Sequence, residues 1–267
     1  MKRVSVVTGG AQGIGAAIVR RLAADGDSLV LVDIDAMAAE ATAGEIAAAG
    51  GTVRVVLGDV SADQTVAEVA ETVAGLGRLD VLVNNVGDFR PASKTFGHST
   101  PEQWQRLYEV NLLHVFKMCH ALVPRMIEQG HGAVVNVSTV EAFRGIPGHA
   151  VYSAYNAGVS AFTKSLAVEV GEHGVRVNAV APDLTDTPQT SREAMLRGRD
   201  PGLLRSWLPL GRFGQPEDFA GVVAFLASPD AGFITGHTIP VDGGTLAASG
   251  WYAREDHKGW TNMPNHP

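Results

Sequence analysis

The eight residues Thr8-Gly9-Gly10-Ala11-Gln12-Gly13-Ile14-Gly15 decide how the rest of the chain is read. They follow on from an apolar, β-branched run, "RVSVVTGG" at 3–10, and open the helical pattern of Ile14 to Ala24. A strand that passes through glycines into a helix puts Gly9 at a tight turn. Gly13 and Gly15 then let backbone approach a pyrophosphate, which the helix N-terminus attracts. The spacing is G-x-x-x-G-x-G. Alone it carries little weight, because glycines also serve ordinary turns.

The alternation continues outward. Strands are predicted over 28–35, 52–60, 79–87, 132–139, 175–182 and 237–244. Helices are predicted over 36–49, 62–76, 101–129, 150–172 and 216–227. Short apolar strands separated by helices imply a parallel sheet covered on both faces. Right-handed crossovers make this a three-layer, doubly wound α/β fold of the Rossmann type, in a single domain. We place that domain at 1–248, with a C-terminal extension at 249–267. Residues 183–215 break the rhythm with Asp, Thr, Pro, Arg and Gly. A lid over the strand ends is one reading and a surface loop the other.

Composition limits the function. The chain has 267 residues, is 45% hydrophobic and has a formal net charge of −7, without a long basic run. That argues against nucleic-acid binding. No apolar run approaches the roughly 20 residues that span a bilayer. Cys119 is the only cysteine, so an internal disulfide is impossible. A reducing, cytoplasmic setting fits, and the N-terminus reads as a strand, not a signal peptide. The histidines show no H-x-x-x-H or H-E-x-x-H spacing, so no catalytic metal is expected.

Asp33 closes the second strand 18 residues after Gly15. A carboxylate there accepts hydrogen bonds from adenosine ribose hydroxyls and repels the extra phosphate of NADP. No Arg or Lys stands beside it, so NAD is the expected cofactor. Asp59-Val60 closes the third strand, where a carboxylate meets an adenine amino group. "NNVG" at 84–87 closes the fourth, where amides bridge neighbouring loops; turn-capping explains them equally.

This order of motifs resembles the short-chain dehydrogenase/reductase family from about residue 3 to 244. The resemblance rests on T-G-x-x-x-G-x-G at 8–15, Asp33, Asp59, N-N-x-G at 84–87 and Asn111 in "YEVNLLHVF". It continues through "VVNVST" at 134–139, Tyr152, "VRVNAVAP" at 175–182 and "ITGHTIPVDGG" at 234–244. It implies hydride exchange between a nicotinamide and a carbonyl or secondary alcohol. The implied cofactor contacts are Gly9, Gln12, Gly13, Ile14, Gly15, Asp33, Asp59, Val60, Asn85, Gly87, Tyr152, Asn156, Pro182, Thr185 and Thr187. A homotetramer or homodimer pairing the helices at 101–129 and 150–172 is also implied.

The implied catalytic positions are Asn111, Thr139, Tyr152 and Asn156. Where the family carries serine this chain has Thr139, with Ser138 one residue off register; strand alternation favours Thr139. Where the family carries lysine this chain has Asn156, four residues past Tyr152 and on the same helical face. A unit charge about 5 Å away at an effective dielectric of about 20 is worth roughly 3 kcal/mol, or about 2 pKa units on the phenol. Asn156 offers a hydrogen bond and no charge. Asp183 stands where the family has glycine, and Thr185 where an apolar residue is expected. Lys164 lies too far along the helix to compensate. Arg144 and His149 precede Tyr152, near the substrate or in a polar loop.

Two functions follow. One is an NAD-dependent alcohol dehydrogenase or ketone reductase acting on a small molecule. Tyr152 exchanges the proton, Thr139 bonds the substrate oxygen, Asn111 anchors a relay water and Asn156 touches the ribose. The other is a catalytically weakened, NAD-binding sensor or partner subunit. The tail aromatics Trp251, Tyr252 and Trp260 cover a substrate pocket, dock on a second subunit or fold over their own surface.

Overall fold

The computed structural model describes residues 2–248, 250–254 and 259–261. Seven strands form one sheet: β1 (Val4–Thr8), β2 (Ser28–Asp33), β3 (Thr52–Leu57), β4 (Val81–Asn84), β5 (Gly132–Val137), β6 (Val175–Pro182) and β7 (Thr238–Val241). All neighbours pair in parallel, in the order β3-β2-β1-β4-β5-β6-β7. Strands β1 and β4 are buried along their whole length. A parallel sheet covered on both faces demands such continuous apolar runs.

One face packs against α1 (Gly13–Ala24), α2 (Ala36–Ala48) and α8 (Pro216–Ala227), through Ile18, Leu22, Ile46 and Val223. The other packs against α3 (Asp63–Leu76), α5 (His114–Gln129) and α6 (Ala150–Val170), through Val69, Met118, Leu122 and Val159. The result is the three-layer Rossmann architecture. Sheet order reverses at the β1–β4 boundary, and a doubly wound sheet opens its ligand crevice beyond the strand ends there.

The predicted helix over 101–129 is not uniform. It comprises α4 (Pro101–Tyr108), a π-helical segment over Glu109–Leu113 and then α5. Such π-bulges are rare inside α-helices and are frequent at functional sites. Here Asn111 donates to Leu107 O at 2.9 Å and to Asp88 O at 2.8 Å. Several strands end earlier than the apolar runs suggest, because their last residues turn into crevice loops; β7 retains only Thr238–Val241.

Within 183–215 the chain forms a short helix, α7 (Arg192–Leu196), and a 3-10 turn over Pro201–Ser206. The tail hairpin β8 (Tyr252–Ala253) and β9 (Trp260–Thr261) lies against that turn. Trp251 and Tyr252 remain substantially exposed. The expectation for the Trp260 ring falls outside the described side chains. No described helix is long and apolar enough to cross a membrane.

Candidate active site

The glycine loop is held rigidly from behind. Gly9 and Gly10 donate to Val32 O, and Ala11 N donates to Asp33 Oδ2 at 2.9 Å. Asn85 locks the end of β4 onto the same loop, its Nδ2 donating to Thr8 O and Gly9 O, each at 3.1 Å. Gly9 and Gly13 have φ of 62° and 53°, which disfavour any side chain. A Cβ on Gly15 would fall 1.9 Å from Gly9 O, so turn and helix touch backbone to backbone. The N-cap Gln12 makes no side-chain cap, leaving the first N–H groups of α1 to the crevice. These features fit a dinucleotide pyrophosphate.

Carboxylates line the crevice beyond β2 and β3. Asp33 Oδ1 accepts from Asp35 N at 3.0 Å, and Gln12 Nε2 reaches Asp35 Oδ2 at 3.0 Å. Asp59 accepts from both Ser61 N and Ser61 Oγ. Val60 is buried beside it. Ile14 is half-buried at the start of α1. Across the crevice, Gln189 Nε2 donates to Gly87 O at 3.1 Å. Thr187 lies against Gly13, where an added Cβ would be 3.4 Å from its own Cβ. Residues 183–190 therefore face the glycine loop. Thr185 is buried and donates to Asp183 O.

The Tyr152 end of the crevice is built from β5, α6 and the exit of β6. Ser138 Oγ donates to Asn156 O at 3.1 Å and meets Ser160 Oγ at 3.3 Å, so it is directed into α6. Thr139 points the opposite way. Its hydroxyl donates to Pro182 O at 3.3 Å and interacts with the Tyr152 phenol. Burial pushes that phenol above its ordinary pKa, the Glu141 and Asp88 carboxylates push it further, and the Thr139 hydroxyl opposes them. Phe89 and His149 pack edge-on around the Tyr152 ring, each with its centroid 6.3 Å away. His149 Nε2 meets Ser93 Oγ at 2.8 Å.

Among the described residues, no cation acts on the Tyr152 phenol. Asn156 is buried, and its Nδ2 donates to Tyr152 O at 3.1 Å. Its amide is bonded within the helix. Lys164 is exposed. The Asn111 side chain accepts from Asp88 N at 3.0 Å besides its two donated bonds, so it clamps the 88 loop.

Sequence reasoning did not single out Glu141. It sits on the 3-10 turn Val140–Ala142, and its backbone N donates to Thr139 Oγ1 at 3.4 Å. Burial raises its carboxyl to about 7, the Asp183 charge adds to this and Arg144 opposes it. Arg144 Nη2 is bonded to Asp183 Oδ2 at 2.7 Å, and Thr245 Oγ1 donates to the same carboxylate. The available signal was an acidic residue two positions past the presumed active hydroxyl.

Residues 9–245 match the family model described as enoyl-(acyl carrier protein) reductase. The short-chain reductase protein NovJ of Streptomyces niveus is 40% identical over 247 residues, 90% of this chain and 93% of that one. A solved 3-ketoacyl-(acyl-carrier-protein) reductase from Brucella melitensis, complexed with NADH, is 33% identical with a TM-score of 0.82. The match covers 91% of this chain and 98% of that one. A Beutenbergia cavernae structure with NADP at low occupancy is 34% identical with a TM-score of 0.85, covering 92% and 97%. A match that runs from the glycine loop through the last strand, on the same seven-stranded sheet, places the chain in the short-chain dehydrogenase/reductase family of oxidoreductases.

Proposed function

We propose that the protein is an NAD(H)-dependent ketone reductase and secondary-alcohol dehydrogenase, working best as a reductase. The observation that carries this reading is the Tyr152 phenol beside the Thr139 hydroxyl, at the mouth of the glycine-lined crevice.

Gly9, Gln12, Gly13, Ile14 and Gly15 would hold the pyrophosphate, with Asp33 on the adenosine ribose and Asp59-Val60 at the adenine. Asn85, Gly87, Pro182, Thr185 and Thr187 would flank the nicotinamide half, with Tyr152 and Asn156 at its ribose. The bound cofactor supplies or accepts the hydride. Tyr152 donates a proton to the carbonyl oxygen during reduction, and Thr139 hydrogen-bonds that oxygen as charge develops. A phenol held above its ordinary pKa is already in the acid form at neutral pH, which suits reduction. The reverse reaction needs the phenolate, which this site disfavours. The Asn111 clamp keeps the 88 loop, and with it Phe89, against the Tyr152 ring.

Asp33 supports NAD over NADP, because an added phosphate would meet Asp33 and Asp35. A partly apolar pocket of about 300 Å³ under the 183–215 segment, lined by Leu184, Met195, Leu196, Leu203, Trp207 and Phe213, supports a substrate with an apolar portion. A cytoplasmic homotetramer or homodimer completes the reading. The domain-and-lid division at 1–248, 183–215 and 249–267 belongs to it too.

One specific observation favours the second reading, a weakened NAD-binding sensor or partner subunit. Asn156 is bonded to its own helix, and carboxylates rather than a cation face Tyr152. NADH consumption across a ketone panel, alongside calorimetric NADH binding, separates the two. Turnover supports the reductase; tight binding with no turnover by wild type or Asn156→Lys supports the sensor.

A further inference from the structure

Resting on the reductase reading, we propose that the pocket under the 183–215 segment selects an anionic substrate: a ketone whose apolar body ends in a carboxylate, which Arg197 and Arg199 receive as specificity-determining residues.

The chain links this pocket directly to the reacting hydroxyls. Thr139 Oγ1 donates to Pro182 O at 3.3 Å, and Leu184, two residues on, is part of the pocket wall. Two trans peptide steps separate Cα atoms by at most about 7.6 Å. The wall therefore begins within a short substrate's length of the Thr139 hydroxyl. That wall is fixed. Gly214 N donates to Leu184 O and Asp186 N donates to Gly214 O, each at 2.9 Å, which ties the Phe213 side of the pocket to the Leu184 side. The Pro201–Ser206 turn, which supplies Leu203 and Leu204, packs against β8. A cavity of about 300 Å³ with leucine, tryptophan and phenylalanine in its walls shields an apolar group from water.

The charge comes from one stretch of the same segment. Residues 192–205 hold four arginines and two acidic residues, in a chain of net charge −7. Arg197 and Arg199 both line the pocket and both are exposed. Among the described residues, neither guanidinium makes an ion pair or a hydrogen bond. The two acidic residues leave them so. Asp200 lines the pocket too, but its Oδ1 accepts from Gly202 N at 2.8 Å and caps the Pro201–Ser206 turn. Glu193 offers Arg197 only its backbone oxygen, which accepts from Arg197 N at 3.2 Å. Arg197 also stands at a left-handed C-cap, φ 51°, where glycine is the easier residue.

A neutral ketone fills such a pocket and leaves both guanidinium groups to water. A ketone ending in a carboxylate fills the same walls and pairs with them, because a guanidinium fork matches the two carboxylate oxygens. This contact lies away from the reacting carbon and is the same in ground and transition states. It therefore lowers KM and leaves kcat nearly constant.

The test compares wild type, Arg197→Gln, Arg199→Gln and the double variant, using NADH with 4-(3-oxobutyl)benzoate and its primary amide. Wild-type KM should be on the order of 10-fold lower for the acid at similar kcat. The preference should shrink with added salt and fall to near unity in the double variant. The acid-to-amide ratio within each protein controls for any loss of fold. Calorimetric titration of the NADH complex with 4-butylbenzoate and 4-butylbenzamide, neither of them a ketone, reads the same preference without turnover. Equal binding of the two by wild type, or a preference unaltered in the double variant, overturns the inference and leaves the reductase reading standing. Acetoacetyl-CoA distinguishes a phosphate from a carboxylate: an arginine-dependent KM for that thioester, with none for the benzoate, also overturns it. Arginine-dependent binding of 4-butylbenzoate without turnover of any ketone overturns the reductase reading and retains the anion site.

Discussion

At the residue scale the site turns on which way a few side chains point. Ser138 and Thr139 are adjacent hydroxyls, yet one ties β5 to α6 and the other faces the phenol. Thr139→Val should cut kcat on the order of 10²- to 10³-fold, as loss of a donor to a developing oxyanion does, with little change in Tm. Ser138→Ala should do the reverse, costing about 1 kcal/mol of stability with catalysis nearly intact. Steady-state kinetics and thermal melts on both variants check this pair. Asn156→Lys tests the charge argument. A cation about 5 Å from the phenol lowers its pKa by about 2 units, so alcohol oxidation near neutral pH should rise up to about 100-fold. Ketone reduction should gain far less, because the phenol is already the acid. Initial rates in both directions across pH separate the two effects. The four proposed positions are picked out in the sequence by their order and spacing. Their orientations were not, because a side chain's direction at a strand end depends on how the backbone leaves the sheet.

At the element scale, the β1–α1 turn is the least forgiving part of the molecule. Gly15→Ala would drive a methyl into Gly9 O, and neither backbone segment can yield without opening the cradle. Nucleotide binding should be lost, together with several degrees of Tm, as calorimetry with NADH and a melt would show. On the NAD reading proposed above, the tip of β2 would set cofactor choice. Asp33→Ser removes one unit of charge facing a 2′-phosphate, worth roughly 3 kcal/mol by the same Coulomb estimate. The ratio of NADH to NADPH affinity should therefore fall by about 100-fold. Both elements could be read from the sequence, since a glycine-punctuated strand–helix turn and a strand-terminal carboxylate are local features. The π-helical segment at Glu109–Leu113 could not. Its apolar periodicity resembles an ordinary helix, and the Asn111–Asp88 bonds made there join segments 23 residues apart that no local pattern links.

For the whole molecule, stability and assembly carry the consequences. Glu141 has a carboxyl raised in the folded state, so the native protein holds that proton more tightly than the unfolded chain does. Its contribution is most favourable below the ordinary carboxylate range and is lost as pH rises through about 7. After allowing for partial exposure, the swing is on the order of 1–2 kcal/mol. Melts from pH 5 to 8 should therefore decline more steeply for wild type than for Glu141→Gln. Light scattering should find a species of two or four times 28.0 kDa if α4–α5 and α6 pair between subunits as proposed; a 28.0 kDa species would reject that assembly.

The sequence by itself determined the fold class, the position of the glycine turn and the absence of lysine at 156, because these rest on local patterns: runs of two-sided apolar strands, a strand–helix glycine turn, a charge missing at a fixed spacing. The tertiary structure alone decided what stands in that lysine's surroundings. Glu141, Arg144, Asp183 and Thr245 come from three separate segments, and no periodicity links them. Only the convergence of β5, β6 and the C-terminal segment at one end of the sheet brings Arg144 and Thr245 onto Asp183 beside Glu141. Charges act through distance in space, and distance in space is what a linear pattern does not contain.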